Sequence, residues 1–96
     1  MIDKLLRTKD VQRLLQALLC LQTEEEAGQL LTDICTVGEL KTLAQRLEVA
    51  SLLRSGYTYS QVEEMTGAST ATISRVKRFL QYGAGGYELV LSRMEE

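Results

Sequence analysis

The stretch Thr58-Tyr59-Ser60-Gln61-Val62-Glu63-Glu64-Met65-Thr66-Gly67-Ala68-Ser69-Thr70-Ala71-Thr72-Ile73-Ser74-Arg75-Val76-Lys77-Arg78-Phe79-Leu80 decides how this chain is read. Thr58 and Gln61 have the spacing of a capping box, which satisfies the unpaired backbone donors at a helix start. Gly67 ends that helix after about two turns, because glycine takes a positive φ at little cost. Ser69 or Thr70 then caps a second helix, anchored from inside by Ile73, Val76 and Leu80, while Val62 and Met65 are expected to point inward from the first. Two short helices joined through a glycine turn form a helix-turn-helix, expected over 59–80.

The outer side of the second helix is unusual. Ser69, Thr70, Ala71, Thr72 and Ser74 are all small, with Ser60 at the head of the first helix. Serine and threonine are poor helix formers on a solvated face, where Glu and Lys normally serve. A major groove only about 12 Å wide does ask for short hydroxyl and methyl groups, which reach base edges and thymine methyls. Arg75, Lys77 and Arg78 follow within reach of a phosphate backbone or a base, and no acid occurs among residues 65–87. These nine residues, Ser60 included, are the expected DNA-contacting set.

The flanks are also helical. Val11, Leu14, Leu15, Leu18 and Leu19 follow helical spacing, giving a first helix from Ile2 or Asp10 to Leu21. Thr23 with Glu26 and Thr36 with Glu39 repeat the capping box and open a second and a third helix, the third running to Arg54 before Ser55-Gly56. Tyr82-Gly83-Ala84-Gly85-Gly86-Tyr87 reads as a flexible joint, and a last amphipathic segment covers Tyr87 to Met94.

With 96 residues, 45% apolar and 25% charged, the chain is expected to be one globular domain, 1–96, with no proline to interrupt helices. So short a chain buries only about two-thirds of its unfolded surface, and association is one remedy. The net charge is −2, with an acidic start and end around a basic centre at residues 37–82. Cys20 and Cys35 lack metal-type spacing and there is no histidine, so they read as small buried apolar residues in a reducing compartment, and no metal is expected. No charged-then-apolar leader opens the chain and no apolar run approaches about 20 residues, so a cytoplasmic protein with no membrane partner is expected.

The runs Leu43-Ala44-Gln45-Arg46-Leu47-Glu48-Val49-Ala50 and Gly67-Ala68-Ser69-Thr70-Ala71-Thr72-Ile73-Ser74-Arg75-Val76 resemble the Trp repressor superfamily, in particular its YerC/YecD branch. Asp33-Ile34-Cys35-Thr36, Tyr82-Gly83 and Gly86-Tyr87-Glu88-Leu89-Val90 are similar to that branch as well. The resemblance implies an all-α, six-helix fold in an intertwined homodimer, with 1–55 and 87–96 as dimerisation helices. It also implies a transcriptional repressor whose two heads read successive major grooves about 34 Å apart, on a pseudo-palindromic operator.

Trp repressor holds an indole between two arginines, which correspond to Arg46 and Arg75 here. Where it has glycine after the second arginine this chain has Val76, and where it has serine four residues on this chain has Phe79. Arg46, Arg75, Val76 and Phe79 therefore define a candidate ligand pocket that is filled rather than open, since side chains that occupy a site remove the concavity a ligand needs. L-Tryptophan is not the expected corepressor; the sequence leaves room for a different small-molecule corepressor without naming it, and no other cofactor is expected. Trp repressor also has a lysine where this chain has Glu63, beside Glu64, so few neutralised phosphates and a shallow salt dependence are expected. An enzyme is not expected, because histidine is absent and no nucleophile–base pair or phosphate-cradling loop occurs. The alternative is a helix-turn-helix module that grips a protein partner without reading DNA.

Overall fold

The uninterrupted helical composition becomes helix throughout the computed structural model, which describes residues 2–95. Among these residues the elements are α1 (Ile2–Leu6), α2 (Lys9–Leu19), α3 (Glu24–Ile34), α4 (Val37–Arg54), α5 (Tyr59–Thr66), α6 (Thr70–Tyr82) and α7 (Gly86–Met94). The seventh arises because the expected first helix is two. Arg7 N–H donates to the Lys4 carbonyl at 3.1 Å, and the Thr8 N–H and hydroxyl both turn back to the Leu5 carbonyl, at 3.1 and 2.7 Å. These tight bonds close α1, and Thr8 is left extended at φ −69°, ψ 151° as the residue preceding α2.

The described residues fall into two compact units, dividing between Val37 and Gly38. In the first unit, Thr23 accepts the Glu26 N–H at 3.1 Å, as a capping residue should. The Glu26 carboxylate returns to Gln22 N–H at 2.9 Å, so the reciprocal bond closes one residue earlier than in the box read from sequence. No side chain of α1, α2 or α3 is buried. Leu14, Leu15 and Leu18, which share one face of α2, are 41–43% exposed. The cysteines correct the sequence reading: Cys20 is exposed and Cys35 half-buried, because each stands at a helix end rather than inside a packed face.

In the second unit the core is Val49, Ala50 and Leu53 of α4, Val62 of α5, Ala68, Ile73 and Val76 of the turn and α6, and Leu91 of α7. Leu47, Leu52, Leu80 and Tyr87 pack around it. Gly56, at φ +94°, stops α4, with its N–H donating to the Leu53 carbonyl at 3.1 Å. The glycine-rich joint is shorter than expected. Tyr82 still belongs to α6 and Gly86 opens α7, so only Gly83, Ala84 and Gly85 connect them. Gly85 takes φ +89° at the head of α7, and this single left-handed residue redirects the chain without a longer loop.

Candidate nucleic-acid interface

The helix-turn-helix is held first by short local bonds. At α5 the capping box is complete: Thr58 Oγ1 accepts the Gln61 N–H at 3.2 Å, and Gln61 Oε1 accepts the Thr58 N–H at 2.9 Å. Gly67 takes φ +71°, and its N–H donates to the Glu63 carbonyl at 2.9 Å. Thr66 braces the turn on both sides, its hydroxyl donating to the Val62 carbonyl at 2.7 Å and accepting the Ala68 N–H at 3.1 Å. Gln45 of α4 donates through Nε2 to the Thr66 carbonyl at 3.4 Å. Ser69 caps α6 by accepting the Thr72 N–H at 3.1 Å.

This frame holds α6 by Ile73 and Val76, both fully buried. Ser69, Thr70, Ala71, Ser74, Arg75 and Arg78 are exposed on the other side, and Ser60 is exposed at the start of α5. Thr72 differs from expectation. It is half-buried, and its Oγ1 accepts the Ser69 hydroxyl at 3.1 Å, which draws it into the cap. Met65 also corrects the reading, since it is 56% exposed. Thr66, four residues beyond Val62 rather than three, takes the inward position on so short a helix.

The cations are not equivalent. The Arg75 guanidinium lies 5.1 Å from the Phe79 ring centroid, one turn along α6. The Lys77 ammonium lies 5.9 Å from the Tyr59 ring and is half-buried. Each such contact is worth about 0.5–1 kcal/mol at an exposed site. Arg78 is exposed, and among the described residues it makes no ring contact or ion pair. Of the candidate ligand-pocket residues, Val76 is in the core, Phe79 is 44% exposed under Arg75, and Arg46 is half-buried on α4.

Two features were not visible in the sequence. Thr70 Oγ1 donates to Glu63 Oε2 at 3.2 Å, tying the first residue of α6 to α5 across the turn. A separation of seven residues through a left-handed glycine belongs to neither helical nor strand periodicity. Arg54, the last residue of α4, reaches Glu88 by two bonds of 2.8 and 2.9 Å and Glu95 by a third of 2.6 Å, fastening α7 to α4. The bonds from Arg54 hold the Glu88 carboxyl below its ordinary range and raise the arginine's own pKa. Charge complementarity 34 and 41 residues apart leaves no local trace.

Comparisons with known proteins match the whole of this arrangement. The family described as Trp repressor protein matches residues 9–95. The uncharacterized protein YerC of Bacillus subtilis (strain 168) is 53% identical over 95 residues, covering 99% of this chain and 90% of that protein. A crystal structure of a candidate Trp repressor from Staphylococcus aureus superposes with a TM-score of 0.92 at 47% identity, covering 99% of this chain and 95% of that one. A TrpR like protein from Eubacterium eligens ATCC 27750 gives 0.91 at 48% identity, covering 96% and 95%. The chain belongs to the Trp repressor family of helix-turn-helix DNA-binding regulators.

Proposed function

We propose that the chain is a transcriptional repressor that reads a pseudo-palindromic operator as a homodimer, without L-tryptophan as corepressor. The observation that carries the reading is the outer side of α6. Ser69, Thr70, Ala71 and Ser74 stand exposed on a helix whose other side is locked into the core, with Arg75 and Arg78 beside them. Short side chains on a rigid helix can enter a major groove, and the cations bind phosphate.

The homodimer is supported by apolar surface that the single chain leaves uncovered. Leu14, Leu15 and Leu18 on α2, and Leu89, Val90 and Met94 on α7, are each more than 40% exposed. Covering the exposed fraction of each such side chain stabilises by on the order of 1 kcal/mol. A contiguous leucine face is the kind of surface that a second copy buries.

Independence from tryptophan is supported by Phe79 and Val76. The ring already lies against Arg75 and the valine is packed in the core, so the face of Arg75 that would meet a ligand is taken by the ring.

Exposed Met65 and Phe79 favour the second reading, a module gripping a protein partner, since bulky apolar side chains are common at such contacts. Duplex DNA binding by the wild type, Ser74→Ala and Arg78→Ala separates the two. Repression by α6 predicts that Ser74→Ala alters sequence preference and that Arg78→Ala weakens all sequences alike, with a salt slope smaller by about 1. Unchanged DNA binding in both variants would transfer the weight to the protein partner.

A further inference from the structure

We propose that Glu63 fixes one position of each operator half-site as a C·G pair, by turning Thr70 and its own carboxylate into a patch that only accepts hydrogen bonds. The inference rests on the DNA-reading proposal above and names the base chemistry that the reading head selects.

The Thr70 hydroxyl has a single proton. That proton is directed at Glu63 Oε2, 3.2 Å away. What Thr70 offers outward is therefore lone pairs, and the carboxylate oxygens next to it accept and do not donate. Both side chains are exposed, so the patch is open to solvent. The neighbouring Ser69 hydroxyl is spent within its own cap, donating to Thr72 Oγ1, and supplies no competing donor.

The edges of the four base pairs in the major groove answer such a patch differently. Guanine offers two acceptors at O6 and N7, thymine an acceptor at O4, and adenine an amine beside the N7 acceptor. Cytosine alone offers the N4 amine without an adjacent acceptor on the same base, and a carboxylate is the side chain suited to it. Acceptors brought against acceptors in a groove that excludes water leave desolvated groups unpaired, which costs more than the missing bond alone. The carboxylate also stands beside Glu64, in a place where a phosphate-rich partner would repel it. A base amine is the group in the groove that can donate a hydrogen bond to that carboxylate.

The test is to sequence the duplexes retained from a random pool by the wild type, Glu63→Gln and Thr70→Val. The wild type is expected to enrich cytosine at one fixed position per half-site. E63Q carries a donor as well as an acceptor and is expected to lose about 5- to 100-fold of that preference, drifting towards adenine, with the other positions unchanged. T70V keeps the carboxylate but removes the bond that fixes it, and is expected to weaken the same position by a smaller factor. Cytosine retained by E63Q with undiminished preference overturns the inference, and so does a uniform gain of affinity for all sequences. Either result leaves the DNA reading intact. A wild type that enriches no sequence overturns the DNA reading and this inference together, and the wild-type arm alone reveals it.

Discussion

At Gly67 the backbone turns with φ +71°, and a Cβ added there would meet no atom within 4 Å. The cost of a side chain is then conformational strain alone, about 1–2 kcal/mol. Gly67→Ala is expected to lower the denaturant midpoint by a corresponding amount with an unchanged slope. Gly83 is constrained for a different reason. Its φ is ordinary, but a Cβ would collide with the carbonyl oxygen of Phe79, a backbone atom that cannot swing away. One turn back, Arg75 and Phe79 form the residue-scale basis for the ligand prediction: calorimetric titration of the wild type with L-tryptophan should give no saturable heat. A saturable isotherm would show that the ring yields its place.

At the scale of elements, the starts of α3, α5 and α6 follow directly from Thr23, Thr58 and Ser69, because capping chemistry is local and written in the residues that perform it. The inner side of α6 was equally legible from Ile73, Val76 and Leu80. The break between α1 and α2 was not, since Thr8 acts by folding its own hydroxyl back on Leu5, which competes with the helix without altering the apolar pattern. The inward side of α5 was misjudged at Met65 for want of length: two turns leave periodicity too few points to choose between i+3 and i+4. The hold of α4 on α7 through Arg54 was invisible for the reason that long-range ion pairs always are. It has a pH signature. The Glu88 carboxyl is held below its unfolded value, so its contribution is present above the ordinary carboxylate range and is lost as pH falls through the folded value. Hydrogen-exchange protection of α7 should fall over that acidic window in the wild type. In Arg54→Met the dependence should flatten, whereas an identical profile would contradict the role given to the arginine.

For the whole molecule, the first unit contains no buried side chain in any of its helices, although Leu14, Leu15 and Leu18 repeat at helical spacing. Helices of this length gain most of their stability from packing an apolar face, so these need a surface to cover them. If a second copy supplies it, the thermal midpoint should rise with protein concentration. Leu15→Glu with Leu18→Glu should remove both that dependence and the dimer in sedimentation. A concentration-independent midpoint would argue that the chain stands alone. The central claim, that α6 reads DNA in a symmetric pair without a tryptophan switch, is tested most directly by selecting bound fragments from random duplex DNA. The selection is run at roughly 0.15 M salt with and without L-tryptophan. The account predicts one pseudo-palindromic motif, with half-sites about one helical turn apart and the same enrichment in both conditions. A motif that emerges only with tryptophan, or no motif at all, would contradict it.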